Sequence, residues 1–466
     1  MNYRTVFKNY AIAVLAQGVS TFAGIATGFL VPKVLGVTDF GYYQLFVFYT
    51  TYVGLCHLGL TDGVYLIVGG TDRAKLDNRS IKSQLLVGIV YELLFALGLM
   101  LVGMLGGFEP ERAAVLFVLS LYLVVKNIGA YLGYVLQAIN ETRLFSFSTI
   151  VEKGLFVTLV VLLLFSRVNT FLPYIVAFSV GSLGQMLFCA IHVKEILSAE
   201  LLPMKEALSL VKKSISVGSK LLIANLASSF VLGVARIAID NAWGIEAFGK
   251  VSFSVSMVSF FLSFVTQASM VLFPALRAGG ADDAKKFYKM ANTVMGLLFP
   301  FAYLMYCPLC WFVSAWLPAY ADSARYLILL LPICVFDSKM NISCSTLYKV
   351  RREESKLLRI NLVTVFGCAI LVAFSVYIID SVDFALASAT IAIVLRSLFS
   401  ELDLSRSLGI EGSDISFWEI CLTMLFIVLS MLTSKAVTML IYGAFYLVFV
   451  WLHRVDIKRL KIIAKS

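Results

Sequence analysis

"KVLGVTDFGYYQLF", Lys33–Phe46, is a short polar joint between two long apolar runs, and "NAWGIEAFGKVSF", Asn241–Phe253, repeats it in the second half of the chain. Aligned on their glycines, Gly36-Val37-Thr38-Asp39-Phe40-Gly41 stands against Gly244-Ile245-Glu246-Ala247-Phe248-Gly249. Two further pairs keep nearly the same offset: "TDGVYLIVGG" (61–70) with "ASMVLFPALR" (268–277), and "QAINETR" (137–143) with "YKVRREE" (348–354). One match between apolar segments carries little weight, but three in order indicate a duplicated block of helices. The joint itself needs no ligand. Glycine permits the turn that closes two antiparallel helices, and Tyr42 and Tyr43 suit a membrane–water boundary.

The apolar runs define what is duplicated. The 466 residues are 60% hydrophobic and 14% charged, with a mean hydropathy of +0.91, where a soluble domain carries about 25% charged residues. Runs of about 20 apolar residues recur along the chain, each long enough to span a bilayer. They give an all-α polytopic membrane protein of about 14 transmembrane helices. It comprises a six-helix bundle at 1–193, a cytoplasmic amphipathic connector at 194–214 and a second bundle at 215–406. A further helix pair at 415–453 and a basic cytoplasmic tail at 454–466 complete it. Because six spans precede the connector and six follow it, the repeat is parallel, a plan used by secondary transporters with the substrate site at the interface of the halves.

Charge tests this layout. The net charge of +10 is not gathered into a basic face with interleaved aromatics, so nucleic acid is excluded as a partner. Most of the 38 Lys and Arg fall in alternate loops, which makes those loops, and both termini, cytoplasmic. Arg4 and Lys8 before the first run resemble a signal-peptide start, but the run is too long and lacks a small-residue cleavage site, so it reads as an uncleaved helix. The eight cysteines are scattered; Cys307-Pro-Leu-Cys310 has redox-like spacing, but buried cysteine also behaves as a small hydrophobe. No metal or cofactor is expected. A G-x-x-x-x-G-K-[ST] phosphate loop is absent, and no constellation suggests catalysis, so the chain is read as no enzyme and no user of ATP.

The stretch "LVPKVLGVTDFGYYQLFVFYTTYVGLCHLGLTDGVYLIVGG", with its second-half echo, resembles the polysaccharide-export branch, of Wzx type, of the multidrug/oligosaccharidyl-lipid/polysaccharide (MOP) exporter superfamily. The resemblance covers about residues 1–405. It implies two bundles arranged as a V around a cavity, working by alternating access in a bacterial inner membrane. The implied cargo is an undecaprenyl-pyrophosphate-linked oligosaccharide, an O-antigen, capsule or exopolysaccharide unit. Membrane lipids and other polysaccharide-assembly proteins are implied partners. The extra pair 415–453 resembles that of fourteen-helix lipid II flippases. Two alternatives stand beside it: a cation-coupled multidrug exporter of the same fold, and a polytopic polysaccharide polymerase or acyltransferase, which would need a longer outer loop.

Charges inside spans are costly, at least about 2.5–3.5 kcal/mol each at the bilayer centre, and each requires a reason. Lys126, Lys153, Lys339 and Arg396 are the basic ones. Lys126 and Lys339 occupy nearly equivalent repeat positions and could hold a pyrophosphate or acidic sugar, with Lys153 and Arg396 as further substrate contacts. The alternative is pairing across helices, with Glu92 or Asp62 as partners, since neighbours one or two apart on a helix do not face each other. Asp62, Glu92 and Asp337 are the candidates for coupling transport to protons or Na⁺.

Overall fold

The computed structural model describes residues 3–278, 281–410 and 414–454, and every regular element among them is a helix. Contacts divide the chain into two compact units, Met1–Leu226 and Ala227–Ser466.

The first unit contains α1 (Tyr3–Val34), α2 (Val37–Thr50), α3 (Leu60–Val68), α4 (Asn78–Leu105), α5 (Pro110–Ala138), α6 (Thr142–Phe165), α7 (Leu172–His192), α8 (Lys194–Ser198) and the start of α9 (Met204–Ala278). Local chemistry starts these helices: the Asp77 carboxylate accepts from Ser80 N at 3.3 Å ahead of α4, and Pro110 opens α5, where a missing N–H costs nothing. Between α2 and α3 the chain bends by 60° through the 3₁₀ turn Val53–His57. Leu58 and Gly59 there adopt left-handed φ values of 54° and 90°. The bend brings backbone against backbone: a Cβ on Gly63 would strike Ser214, and one on Gly218 would strike Gly59 and Gly63. α5 lies at the centre, packed by α2, α3, α4, α6 and α7.

The second unit holds the rest of α9, then α10 (Ala281–Leu298), α11 (Tyr306–Trp316), α12 (Tyr326–Lys339), α13 (Thr346–Val350), α14 (Glu354–Phe374), α15 (Val382–Ser407), α16 (Asp414–Leu432) and α17 (Lys435–Leu452). A π-helical turn, Met340–Ser345, joins α12 to α13. α15 packs on α12 and α14, while α16 packs on α17, α10 and α12.

The duplication is written in the backbone. Gly36 and Gly244 both break the chain with ψ near 180°, at 179° and −178°. Gly244 has a φ of 79°, which favours glycine. Asn140 and Arg352 both turn left-handed, and around each the hydrogen bonds match: Glu141 N donates to Leu136 O as Glu353 N donates to Tyr348 O. Arg167 and Asp380 form the next such pair, each with a φ of 52°. The segment 268–277, named in the sequence comparison, is helical, but its side chains lie outside the described residues, as does most of the tail 454–466.

Among the described residues eleven helices are long and apolar enough to cross a membrane, or twelve with the bent α2–α3 pair. The count of 14 is therefore approximate. Two of the expected spans, 215–239 and 251–275, are run together in α9 on either side of Gly244, and the first falls in α1, whose residues 3–16 have no described side chains. Apolar faces lie open on α4 (Leu94 65%, Leu105 81% exposed) and α14 (Val363 and Ile370, 71% each), as lipid contact requires. The chain is built as a multi-pass membrane protein.

The stretch 194–214 comprises α8, a non-helical link and the first turns of α9, which begins at Met204. It is strapped by the loop before α4 and the start of that helix. Arg73 bonds Glu195 at 2.5 Å and the His192 carbonyl, Lys82 donates to Ala199 O at 2.7 Å, and the Ser83 hydroxyl accepts from Leu202 N at 2.9 Å. Burial raises the Glu195 carboxyl's pKa, but its backbone hydrogen bond and the Arg73 guanidinium outweigh that and hold it below the usual range. Tyr42 and Tyr43 are packed within the first unit, each 4% exposed, and the Tyr42 hydroxyl donates to Glu109 at 2.5 Å.

Candidate functional site

The four in-span cations fall into two clusters, one in each unit. In the first, Lys126 on α5 donates to both carboxylate oxygens of Glu152 on α6, at 2.8 and 3.0 Å, and to Gln185 Oε1 on α7 at 3.1 Å. Ser182 Oγ donates to Glu152 Oε1 at 3.1 Å. The approach of α6 to α7 depends on Gly181, where a Cβ would stand 2.7 Å from the Glu152 carbonyl. Lys153 Nζ lies 3.5 Å from the same carboxylate and 5.4 Å from the centroid of the Phe178 ring. Its long stem reaches back where adjacent helix positions were expected to diverge. The cluster holds two ammonium groups against one carboxylate. Its lysine side chains remain 26% and 24% exposed while Glu152 is 5% exposed, so the positive excess is the accessible part.

The second cluster is closed. Lys339, at the end of α12, lies 2.8 Å from Glu401 of α15 and 2.6 Å from Glu419 of α16, and donates to Ser416 Oγ at 3.2 Å. Its side chain is 1% exposed, as is that of Glu419. Ser416 Oγ donates to Glu401 Oε1 at 2.5 Å. Arg396 on α15, also 1% exposed, is bonded to Asp337 of α12 and to Ser228 Oγ of α9 at 2.8 Å. Asp337 accepts in addition from Asn341 Nδ2 at 3.0 Å.

Lys126 and Lys339 are thus similar in chain position but different in surroundings. Lys339 stands 13 residues before Arg352 where Lys126 stands 14 before Asn140, and a π turn follows Lys339 whereas α5 is a regular helix through Lys126. The partners differ from those expected: Glu152, Glu401, Glu419 and Asp337 pair the cations, and Asp62 and Glu92 do not. Glu401 and Glu419 were missed by sequence reasoning, although a list of every acid within a span would have found them.

Asp62 and Glu92 lie near the bend in the first unit. His57 Nδ1 accepts from Gly59 N at 3.1 Å, and its Nε2 is 3.9 Å from Asp62 Oδ2, too far for a hydrogen bond. Tyr91 OH donates to the His57 carbonyl at 3.1 Å, and the adjacent Glu92 is 4% exposed. Among the described residues no group of three or more His, Cys, Asp or Glu is placed to hold a metal ion.

A two-unit helical fold with a duplicated block and buried charge in each unit has counterparts among solved structures. No family profile and no curated protein matches the chain. Solved structures do match, three of them as follows. The lipid II flippase MurJ in an inward closed conformation aligns with a TM-score of 0.63 and 11% identity, over 97% of this chain and 100% of that one. An inward-facing multidrug resistance MATE transporter of the MOP superfamily gives 0.61 and 12%, over 85% and 94%. A MOP superfamily transporter from Pyrococcus furiosus gives 0.54 and 13%, over 86% and 94%. The fold is that of the MOP superfamily transporters.

Proposed function

We propose that the chain is a flippase of the polysaccharide-export type, moving an undecaprenyl-pyrophosphate-linked oligosaccharide across the bacterial inner membrane, with both termini cytoplasmic. The observation that carries this reading is the positive excess of the first cluster. Lys126 and Lys153 share one carboxylate and keep part of their surface open, so an anionic phosphate or acidic sugar completes the charge balance. Lys339 and Arg396 are enclosed by carboxylates of their own unit and are not proposed as substrate contacts. The MurJ-like fold supports a lipid-linked cargo.

The test separates charge from structure. Lys153→Gln removes the excess and lowers surface polysaccharide about tenfold to a hundredfold, the loss of one charge-assisted contact of about 1.5–3 kcal/mol. The pair Lys126→Gln with Glu152→Gln removes one charge of each sign, keeps the excess and retains most export. Polysaccharide would be measured in a host lacking its own flippase, with membrane levels of each variant checked by immunoblot. Equal export by Lys153→Gln and the unmodified protein would sink the reading.

A second reading, a cation-coupled multidrug exporter, is favoured by Glu92, a buried carboxylate, beside Asp62 at the bend. It predicts that Glu92→Gln abolishes drug efflux from loaded cells while polysaccharide is unchanged.

A further inference from the structure

The second cluster has a charge balance of the opposite sign, and it is sealed. One ammonium, Lys339, faces two carboxylates, Glu401 and Glu419. The nearest other cation on these helices, Arg396, is taken up by Asp337. Glu419 is 0% exposed, and its Oε1 has no hydrogen-bond partner among the described residues; neither has Glu401 Oε2, whose neighbour is the Lys339 ammonium at 2.8 Å. The surrounding elements present polar groups to the pair. α10 contributes Tyr288, donating to the Glu401 carbonyl at 2.8 Å, and Asn292, donating to Glu401 Oε1 at 3.4 Å. The 3₁₀ turn before α11 contributes Tyr303, which bonds Thr423 at 2.7 Å. The π turn contributes Cys344, within electrostatic reach of Glu401 and Lys339, and α15 contributes Asp403, which bonds Lys356 at 2.6 Å. α17, also packed on α16, brings His453 to the Trp418 ring, 6.4 Å between centroids. Among the described residues none of these groups is a further cation bonded to the pair. Gly296 of α10 lies against Glu419 Oε1, where a Cβ would stand 3.0 Å away, so the unpartnered oxygen meets a surface with no side chain.

An uncompensated negative charge in such a place is costly, and a carboxylate pair relieves the cost by taking up a proton. We propose that Glu401, Glu419 and Lys339 form a proton-binding site that joins the added helix pair to the rest of the second unit. With its proton the cluster is neutral: one carboxylic acid, one carboxylate, one ammonium. Without it the cluster carries one net negative charge, and the two carboxylates repel each other across the contact of α15 with α16. Na⁺ is the weaker occupant because the Lys339 ammonium already stands between the oxygens.

The purified full chain in detergent tests this by infrared difference spectroscopy across a pH jump. In a Glu92→Gln, Asp62→Asn background, a protonated carboxyl C=O band is expected to vanish as pH rises, and to be absent at both pH values once the Glu401→Gln, Glu419→Gln double variant is added. Thermal stability provides the second readout. A proton bound more tightly by the folded state stabilises at low pH and is lost as pH rises, so the melting temperature should fall with pH. Glu419→Gln imitates the neutral form; it should fold, and its melting temperature should lose that part of the pH dependence. The proposal is overturned if the band persists in the double variant, or if Glu419→Gln melts with the unmodified protein's pH dependence. It is also overturned if Na⁺, at constant ionic strength, shifts the melting temperature in the unmodified protein and not in the variant.

Discussion

The Lys126 cluster of the first unit and the Lys339 cluster of the second use the same residue types to opposite ends. The first places two lysines on one glutamate, with about a quarter of each lysine side chain exposed. The second places one lysine between two glutamates, with the ammonium sealed. An accessible positive excess suits an anionic ligand, because the ligand can reach it and complete the balance. An inaccessible negative excess suits nothing larger than a proton. The difference arises where the repeat ends: Glu419 lies on α16, beyond the duplicated block, so the first unit has no counterpart for it.

That contrast can be broken by removing each cation in turn. Lys339→Met strands two buried carboxylates and should destabilise by about 3–5 kcal/mol, the cost of an uncompensated buried charge. Loss of monodisperse protein in size-exclusion chromatography would show it, and adding Glu401→Gln with Glu419→Gln should restore folding. A smaller effect is expected from Gly181→Ala, whose methyl must displace the Glu152 backbone; overpacking of this kind costs about 1–3 kcal/mol, read as a lower melting temperature. Lys126→Met should cost less than Lys339→Met, about 1–2 kcal/mol, because Lys153 remains 3.5 Å from Glu152 and Ser182 still donates to it. Smallest is Lys153→Gln, within about 0.5 kcal/mol in stability since the side chain is part-exposed, while export falls. Equal destabilisation by Lys126→Met and Lys339→Met would mean that the two clusters are not different in kind.

Much of this was legible in the residues. Apolar run lengths set the helices, and the echo of Gly36 at Gly244 revealed the duplication that the matched turns at Asn140 and Arg352 repeat in the backbone. The in-span cations were visible for the same reason: a charge in an apolar run is conspicuous by composition alone. Their partners were not. Glu152 is adjacent to Lys153 in the chain, but its bonds to Lys126 of α5 and Ser182 of α7 join residues 26 and 30 positions away, which only helix packing brings together.

Run length, periodicity and self-similarity are properties of the chain in order, so the sequence by itself determined an all-helical, duplicated, membrane-spanning protein with four costly cations. Which cation is open and which is sealed depends on helices packing side by side, and on α16 bringing Glu419 to Lys339. Only the tertiary structure decided that, because burial and charge balance are summed over neighbours in space.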